Sequence, residues 1–227
     1  MPPDAEAPDA APLAWDALLS GLRVLALSPH TDDVELGAGG TVARLVGAGA
    51  RVRVVALSDA AESNPGFDLR AEFTESMDQL GVTEHAVLPA AIPVRHFPEH
   101  RQRVLDALLD ERNCWHPQIV LCPCSTDAHQ DHGVVYAEAL RAFRLVTIFG
   151  YVLPWNTPRT VPLGLTVELT NQHVGRKIAA LSAYRSQEGR SYIDPLLIEG
   201  QARADGARNG FALGESYEVI RVALPLG

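Results

Sequence analysis

Residues 22–50, LRVLALSPHTDDVELGAGGTVARLVGAGA, hold an apolar run, a polar turn and an amphipathic segment in succession. LRVLALS at 22–28 is apolar without alternation, the pattern of a strand covered on both faces. GTVARLVGAGA at 40–50 spaces its apolar positions three and four apart, as a helix does. Between them, SPHTDDVELGAGGT at 28–41 puts one histidine, three acids and a glycine cluster at the end of the strand.

The same alternation repeats outward. Further β-rich runs occupy 51–58, 84–88, 118–124 and 145–153, and helix-like segments follow at 69–81, 99–112 and 131–144. Continuous apolar strands alternating with helices predict a three-layer, doubly wound α/β fold, Rossmann-like, with a mainly parallel sheet. Ligands bind such sheets beyond the carboxyl ends of the strands. SPHTDDVELGAGGT follows the first strand and STDAHQDHG, 125–133, follows the fourth. The last third is less regular: LTVELT (165–170) reads as an edge strand, 173–186 and 194–208 as helices, and SYEVIRVAL (216–224) as a closing strand.

A chain of 227 residues with 47% hydrophobic content suits one domain, here 21–227, behind a flexible arm at 1–20 that begins MPPDAEAPDAAP. The net charge of −9 leaves no electrostatic footprint for nucleic acid or an anionic membrane. The chain has neither a signal-peptide pattern nor an apolar run of spanning length, so no membrane insertion is expected and the cytoplasm is the default location. Cys114, Cys122 and Cys124 are too few and too clustered for a disulfide framework. VLCPC reads as a strand end whose thiols pack in the core rather than bind metal.

Gly37, Gly39 and Gly40 suggest a dinucleotide fingerprint, but Val42 stands where the third glycine belongs, and the surrounding acids would repel a pyrophosphate. A bland reading is that Asp32 or Asp33 caps the next helix and the glycines allow close packing. The second cluster, DAHQDH at 127–132, weighs against it. His30 and Asp33 straddle a short turn, and His132 can close the site from the other strand end. Two imidazoles and one carboxylate form a three-ligand set with positions left open, as catalytic zinc sites have. Asp32 is then available as a base and His129 as a proton donor or carbonyl polariser. Asp131 either holds the ring of His129 or caps a helix, and Asp127 is a turn residue or touches substrate or a catalytic partner.

These motifs resemble those of the PIG-L or LmbE-like family of metal-dependent N-acetyl-sugar deacetylases. The family pattern P/A-H-P-D-D-E followed by G-x-G-G-T corresponds to Pro29-His30-Thr31-Asp32-Asp33-Val34 and Gly37-Ala38-Gly39-Gly40-Thr41, and H-x-D-H to His129-Gln130-Asp131-His132. Weaker similarity runs through Arg70, Glu72, Lys177, Tyr184-Arg185-Ser186-Gln187 and Gly214-Glu215-Ser216-Tyr217-Glu218. The resemblance implies zinc, or iron(II) or another divalent metal, on His30, Asp33 and His132. It implies Asp32 as general base, His129 as acid or polariser, and Arg70 as a contact to sugar hydroxyls. Arg70 otherwise reads as an ion pair with Glu72 or Glu75. Thr31 and Val34 depart from the pattern at positions that are not ligands.

The implied reaction is hydrolysis of the N-acetyl group of an amino sugar or glycoconjugate, giving acetate and an amine. The resemblance also leaves room for a homo-oligomer. Two other readings stand beside it: a non-haem iron oxygenase, which shares the two-histidine, one-carboxylate set but generally needs an all-β scaffold, and a degenerate metal- and glycan-binding protein without turnover. Tyr151, Trp155 and Arg159, in the loop FGYVLPWNTPRTVP, and also Tyr184 and Gln187, are candidates either for substrate contact or for ordinary packing.

Overall fold

The computed structural model describes residues 14–88 and 92–223. Seven strands, β1 (Arg23–Ser28), β2 (Arg51–Ala56), β3 (Glu84–Val87), β4 (Ile119–Pro123), β5 (Thr147–Tyr151), β6 (Leu163–Glu168) and β7 (Gly214–Arg221), form one sheet ordered β3-β2-β1-β4-β5-β7-β6. The first five pair in parallel, while β7 runs antiparallel to both β5 and β6. The expected edge strand is β6, and the closing strand β7 lies inside the sheet beside it.

Among the described residues seven α-helices flank the sheet: α1 (Ala14–Leu19), α2 (Asp33–Gly47), α3 (Leu69–Leu80), α4 (Arg101–Trp115), α5 (Gln130–Ala142), α6 (Asn171–Ser182) and α7 (Pro195–Ala207). Alternate residues of β1 serve opposite layers. Val24 and Ala26 pack with α2, α3, α6 and α7, whereas Leu25 and Leu27 pack with α4 and α5. All four side chains are fully buried, which explains why the run shows no polar alternation. No described helix is long and apolar enough to cross a membrane.

The chain leaves β1 toward β2 on one side and returns through β4 on the other, so β1 and β4 are neighbours at the point where the strand order reverses. Loops leaving such neighbours in opposite directions open a crevice between them. Both polar clusters emerge there.

Three expected boundaries change. The assumed arm at 1–20 already contains α1 at its end, where Leu19 packs on the core and Asp16 lies 3.5 Å from Arg44; residues 1–13 lie outside the described residues. Helix α6 stops at Ser182, and Tyr184-Arg185-Ser186-Gln187 turns inward through a one-turn helix instead of extending it.

The third change concerns α2, which begins at Asp33 rather than at 40, so Gly37, Gly39 and Gly40 lie inside the helix. Glycine is a poor helix former, but here packing overrides propensity. A Cβ on Gly37 would sit 2.3 Å from Tyr151 Cδ2, one on Gly39 2.9 Å from Lys177 Cγ, and one on Gly40 2.5 Å from Leu169 Cδ1. The missing side chains let α2 lie directly against its neighbours.

Two substitutions in this helix should therefore act in opposite directions. Gly37→Ala must displace the fully buried Tyr151 ring and should destabilise the fold by about 1–3 kcal/mol. Gly47→Ala meets nothing within 4 Å and should stabilise by up to about 1 kcal/mol. Urea denaturation of both variants measures the difference, and equal midpoints would contradict the close-packing explanation.

Candidate functional site

The turn after β1 is pinned at both ends. Ser28 Oγ donates to the carbonyl of His30 and accepts from the backbone N–H of Val34 at 3.2 Å. The backbone N–H of His30 donates to Asp33 Oδ2 at 2.8 Å. This folds the turn so that the His30 ring and the Asp33 carboxylate face the same side. The loop after β4 is ordered by Asp127, whose Oδ1 accepts the N–H of His129 at 2.8 Å. His129 caps α5, its Nδ1 accepting the N–H of Asp131 at 3.2 Å.

The two loops bring three donor atoms to one point. Asp33 Oδ2 is 3.1 Å from His30 Nδ1 and 3.2 Å from His132 Nε2, and those two nitrogens are 3.4 Å apart. Bonds of about 2.0–2.1 Å at a tetrahedral angle place ligand atoms about 3.3–3.4 Å apart. The triangle therefore fits one face of a small divalent ion.

Each imidazole is backed by a carboxylate on its other nitrogen. His30 Nε2 is 3.0 Å from Asp131 Oδ2, and His132 Nδ1 is 2.8 Å from Asp127 Oδ2. Such pairs keep the ring proton on the outer nitrogen and leave the inner one free to bind a metal. Asp131 is itself held by the backbone N–H groups of Arg95 at 2.6 Å and Phe97 at 3.3 Å. Arg95 adopts a left-handed φ of 69° in the same turn.

This geometry corrects the expected role of Asp131. Its carboxylate steadies His30 rather than the ring of His129, and the helix cap is His129, not Asp131. Asp127, open between two readings, proves to be the partner of His132. A flanking acid on each side of His129, in D-x-H-x-D-H, is the signal that marks both backing carboxylates.

The electrostatics follow from crowding. Burial disfavours charge on Asp33, but His132 and His30 outweigh it and hold the carboxylate far below its usual range. Burial also opposes protonation of the two imidazoles. Asp33 with Asp131 nevertheless raises His30 to about 9, and Asp33 with Asp127 raises His132 to about 10. In the metal-free chain protons thus supply the positive charge that the triangle calls for. Asp32 moves the other way from Asp33, raised to about 6 by burial and by the neighbouring Asp33 carboxylate. Burial, then His132 and His30, lower His129, so its ring favours the neutral form. With Nδ1 accepting a hydrogen bond, the proton of neutral His129 sits on Nε2.

The ring centroid of His129 lies 5.0 Å from His30 and 4.7 Å from His132. His30, His129 and His132 also have ligand atoms within 4.8 Å of one another, so a three-histidine set is a second way to hold a metal. The Asp33 triangle is tighter and leaves the engaged Nδ1 of His129 in place.

The predicted substrate residues divide. Trp155 is 44% exposed and stacks on Tyr192, with ring centroids 5.1 Å apart. Both line a cavity of about 340 Å³ that also includes Arg159, Gln201 and Leu36. The Asn156 carbonyl accepts the N–H of Ala128 at 2.7 Å, which ties this turn to the loop bearing His129. Tyr192 carried no signal in the sequence.

Tyr184 and Gln187, by contrast, point inward. Tyr184 is 2% exposed and bonds Thr31 and Glu35, while Gln187 bonds Asn64 at 3.4 Å and Tyr192 at 2.6 Å. Neither offers a free polar edge to a sugar. Tyr151 is buried behind Gly37, its hydroxyl donating to the Leu27 carbonyl at 2.9 Å. Arg70 pairs with Asp59 at 2.9 Å, rather than with Glu72 or Glu75, and also bonds the Leu88 carbonyl at 3.2 Å. Cys122 and Cys124 are buried and unpaired, as core thiols are.

Known proteins resemble this chain in sequence or fold. An uncharacterized deacetylase of Escherichia coli (strain K12), YaiS, is 28% identical over 181 residues, which is 75% of this chain and 96% of that protein. The conserved protein TT1542 of Thermus thermophilus superposes with a TM-score of 0.73 at 24% identity, over 90% of this chain and 97% of its own. The N,N'-diacetylchitobiose deacetylase of Pyrococcus horikoshii, complexed with an inhibitor, gives 0.72 at 20% identity, over 87% and 83%. Residues 25–143, more than half of the chain and the span that contains both polar clusters, match the profile described as PIG-L, GlcNAc-PI de-N-acetylase, and the chain belongs to that family.

Proposed function

We propose that this protein is a metal-dependent N-deacetylase that removes the acetyl group from an N-acetylated amino sugar or glycoconjugate. The observation that carries the reading is the triangle of His30 Nδ1, Asp33 Oδ2 and His132 Nε2, with edges of 3.1–3.4 Å and a carboxylate behind each imidazole. Zinc, or another divalent ion, would be held by these three residues and would supply a Lewis acid for the acetamide carbonyl and for water.

The chain's own groups account for the proton transfers. Asp32 is raised to about 6 and makes no side-chain bond to its helix, so its carboxylate is free to take a proton from the attacking water near neutral pH. His129 presents an Nε2–H donor next to the triangle, suited to the oxygen that becomes negative as the carbonyl is attacked. The departing nitrogen needs a proton, and Asp32, protonated by the first step, carries one. An unactivated amide is a poor electrophile with a poor leaving group, which is why both ends need assistance.

Trp155 and Tyr192 form an aromatic surface over the 340 Å³ cavity, which supports the placing of a sugar ring there. The doubly wound, mainly parallel sheet weighs against the oxygenase reading. The retention of Asp32 and His129 beside the triangle weighs against a binding protein without turnover.

Acetate release from a panel of N-acetylated sugars and glycosides, on protein of known metal content, tests the activity. Asp32→Asn should keep the metal and lower kcat by about 10²–10⁴. Turnover near the wild-type level would remove Asp32 from the mechanism.

The acid limb of the rate profile has a defined direction. Asp32 acts as carboxylate, so the rate should fall as pH drops through about 6. A bound cation favours the carboxylate and moves that limb lower, never higher. A rate that rises toward pH 5 would contradict the assignment.

Metal uptake should also displace protons. His30 and His132, raised to about 9 and 10, are protonated at pH 7 in the metal-free chain, and Asp33 is not. Zinc binding should therefore release about two protons at pH 7. Calorimetry in buffers of different ionisation enthalpy measures this, and release near zero would show that the two imidazoles are not protonated at pH 7 in the metal-free chain.

A further inference from the structure

Tyr184 belongs to a buried cluster that touches the turn bearing Asp32. Its hydroxyl is bonded to the carbonyl oxygen of Thr31, the residue immediately before Asp32, and to Glu35 Oε1 in the first turn of α2. Ser76 of α3 donates to the same Glu35 oxygen at 2.8 Å. Glu72, one turn earlier on α3, accepts the N–H of Ser186 at 3.2 Å and so anchors the segment that carries Tyr184. Residues from α2, α3 and the segment after α6 thus surround one phenol, which alone reaches the Thr31 carbonyl.

Asp32 and Asp33 are secured differently. Asp33 Oδ2 is tied to the N–H of His30 at 2.8 Å, whereas the Asp32 side chain makes no capping bond. The position of the Asp32 carboxylate is set by the backbone that leads into it. Between the two groups tied by Ser28, the His30 carbonyl and the Val34 N–H, that backbone is held at Thr31 by the phenol.

We infer that Tyr184 is a positioning residue that fixes the Asp32 carboxylate through the Thr31 carbonyl, with Glu35 and Ser76 holding the phenol in place. The inference rests on the proposed role of Asp32. Loss of the hydroxyl would remove the bond that holds the Thr31 carbonyl in a buried site and would break the contact between Tyr184 and Glu35. The turn would relax at Thr31 and Asp32, while Asp33 kept its own tether.

The test compares zinc-loaded wild type with Tyr184→Phe, Glu35→Leu, Glu35→Gln and Tyr151→Phe, by crystal structure and by acetate-release kinetics. In Tyr184→Phe the Asp32 carboxylate should shift by about 1 Å and kcat should fall about 10- to 100-fold, with KM and zinc stoichiometry within about twofold. Glu35→Leu should repeat this, and it carries the comparison if Tyr184→Phe does not fold. Glu35→Gln keeps an oxygen facing Tyr184 and Ser76 and should hold kcat within about threefold of wild type. Tyr151→Phe also removes a buried phenol–carbonyl bond, to Leu27. It should lower the melting temperature but leave kcat within about twofold, because it does not touch the Asp32 turn.

An unmoved Asp32 in the Tyr184→Phe crystal, or an equal loss of kcat in Tyr151→Phe, would overturn the inference. If wild type releases acetate from no acetylated sugar, the deacetylase reading falls instead, and the position of Asp32 in the crystals still decides the positioning role.

Discussion

Three lone-pair-bearing atoms held 3.1–3.4 Å apart in a buried corner demand a positive charge among them. The rest of the site is organised by that demand. The strand order supplies the corner, because β1 and β4 are neighbours whose following loops diverge. Asp33 supplies the negative charge, and the inner nitrogens of His30 and His132 complete the triangle. Burial sharpens the effect, since all three side chains are largely shielded from solvent, and the Asp33 carboxylate raises both imidazoles in the metal-free chain.

The backing carboxylates keep this arrangement from being a liability. A buried imidazolium without a partner would be expelled or deprotonated, but Asp131 and Asp127 each stand within 3.0 Å of an outer ring nitrogen. Asp131 is in turn fixed by two backbone N–H groups from the turn that contains the left-handed Arg95. The consecutive acids Asp32 and Asp33 are then pushed in opposite directions. Asp33 faces the imidazoles and stays ionised, and Asp32 faces the charge of Asp33 and is raised to about 6. On the proposed reading, two carboxylates with separated proton affinities provide a ligand and a base from one dipeptide.

Much of this was legible in the chain. Continuous apolar runs such as LRVLALS identify strands buried on both faces, and the placement of both polar clusters after strands puts them at the carboxyl edge of a parallel sheet. The start of α2 was not legible, because Gly37, Gly39 and Gly40 look like a loop to any reading based on propensity. Only the presence of Tyr151, Lys177 and Leu169 beside them, all more than a hundred residues away in sequence, makes glycine the residue that fits a helix there. The partner of Asp131 was hidden for a related reason. Its neighbour in sequence is His129, but the helix turn aims its carboxylate across the crevice at His30.

Tyr184 and Trp155 show why substrate contacts are harder to read than the reactive centre. Both are aromatic residues near motif positions, yet one is sealed in the interior and the other stacks in the open on Tyr192. The proposed metal ligands sit just after strand ends, where the sheet dictates geometry and the spacing in sequence is short. The cavity wall is instead assembled from the loop after β5, the turn around Tyr192 and the face of α7, three segments that no local pattern links. Loops of this kind tolerate change without disturbing the sheet. On the proposed reading the chemistry is therefore carried by the sheet edge, and the choice of glycoconjugate by segments that can vary independently of it.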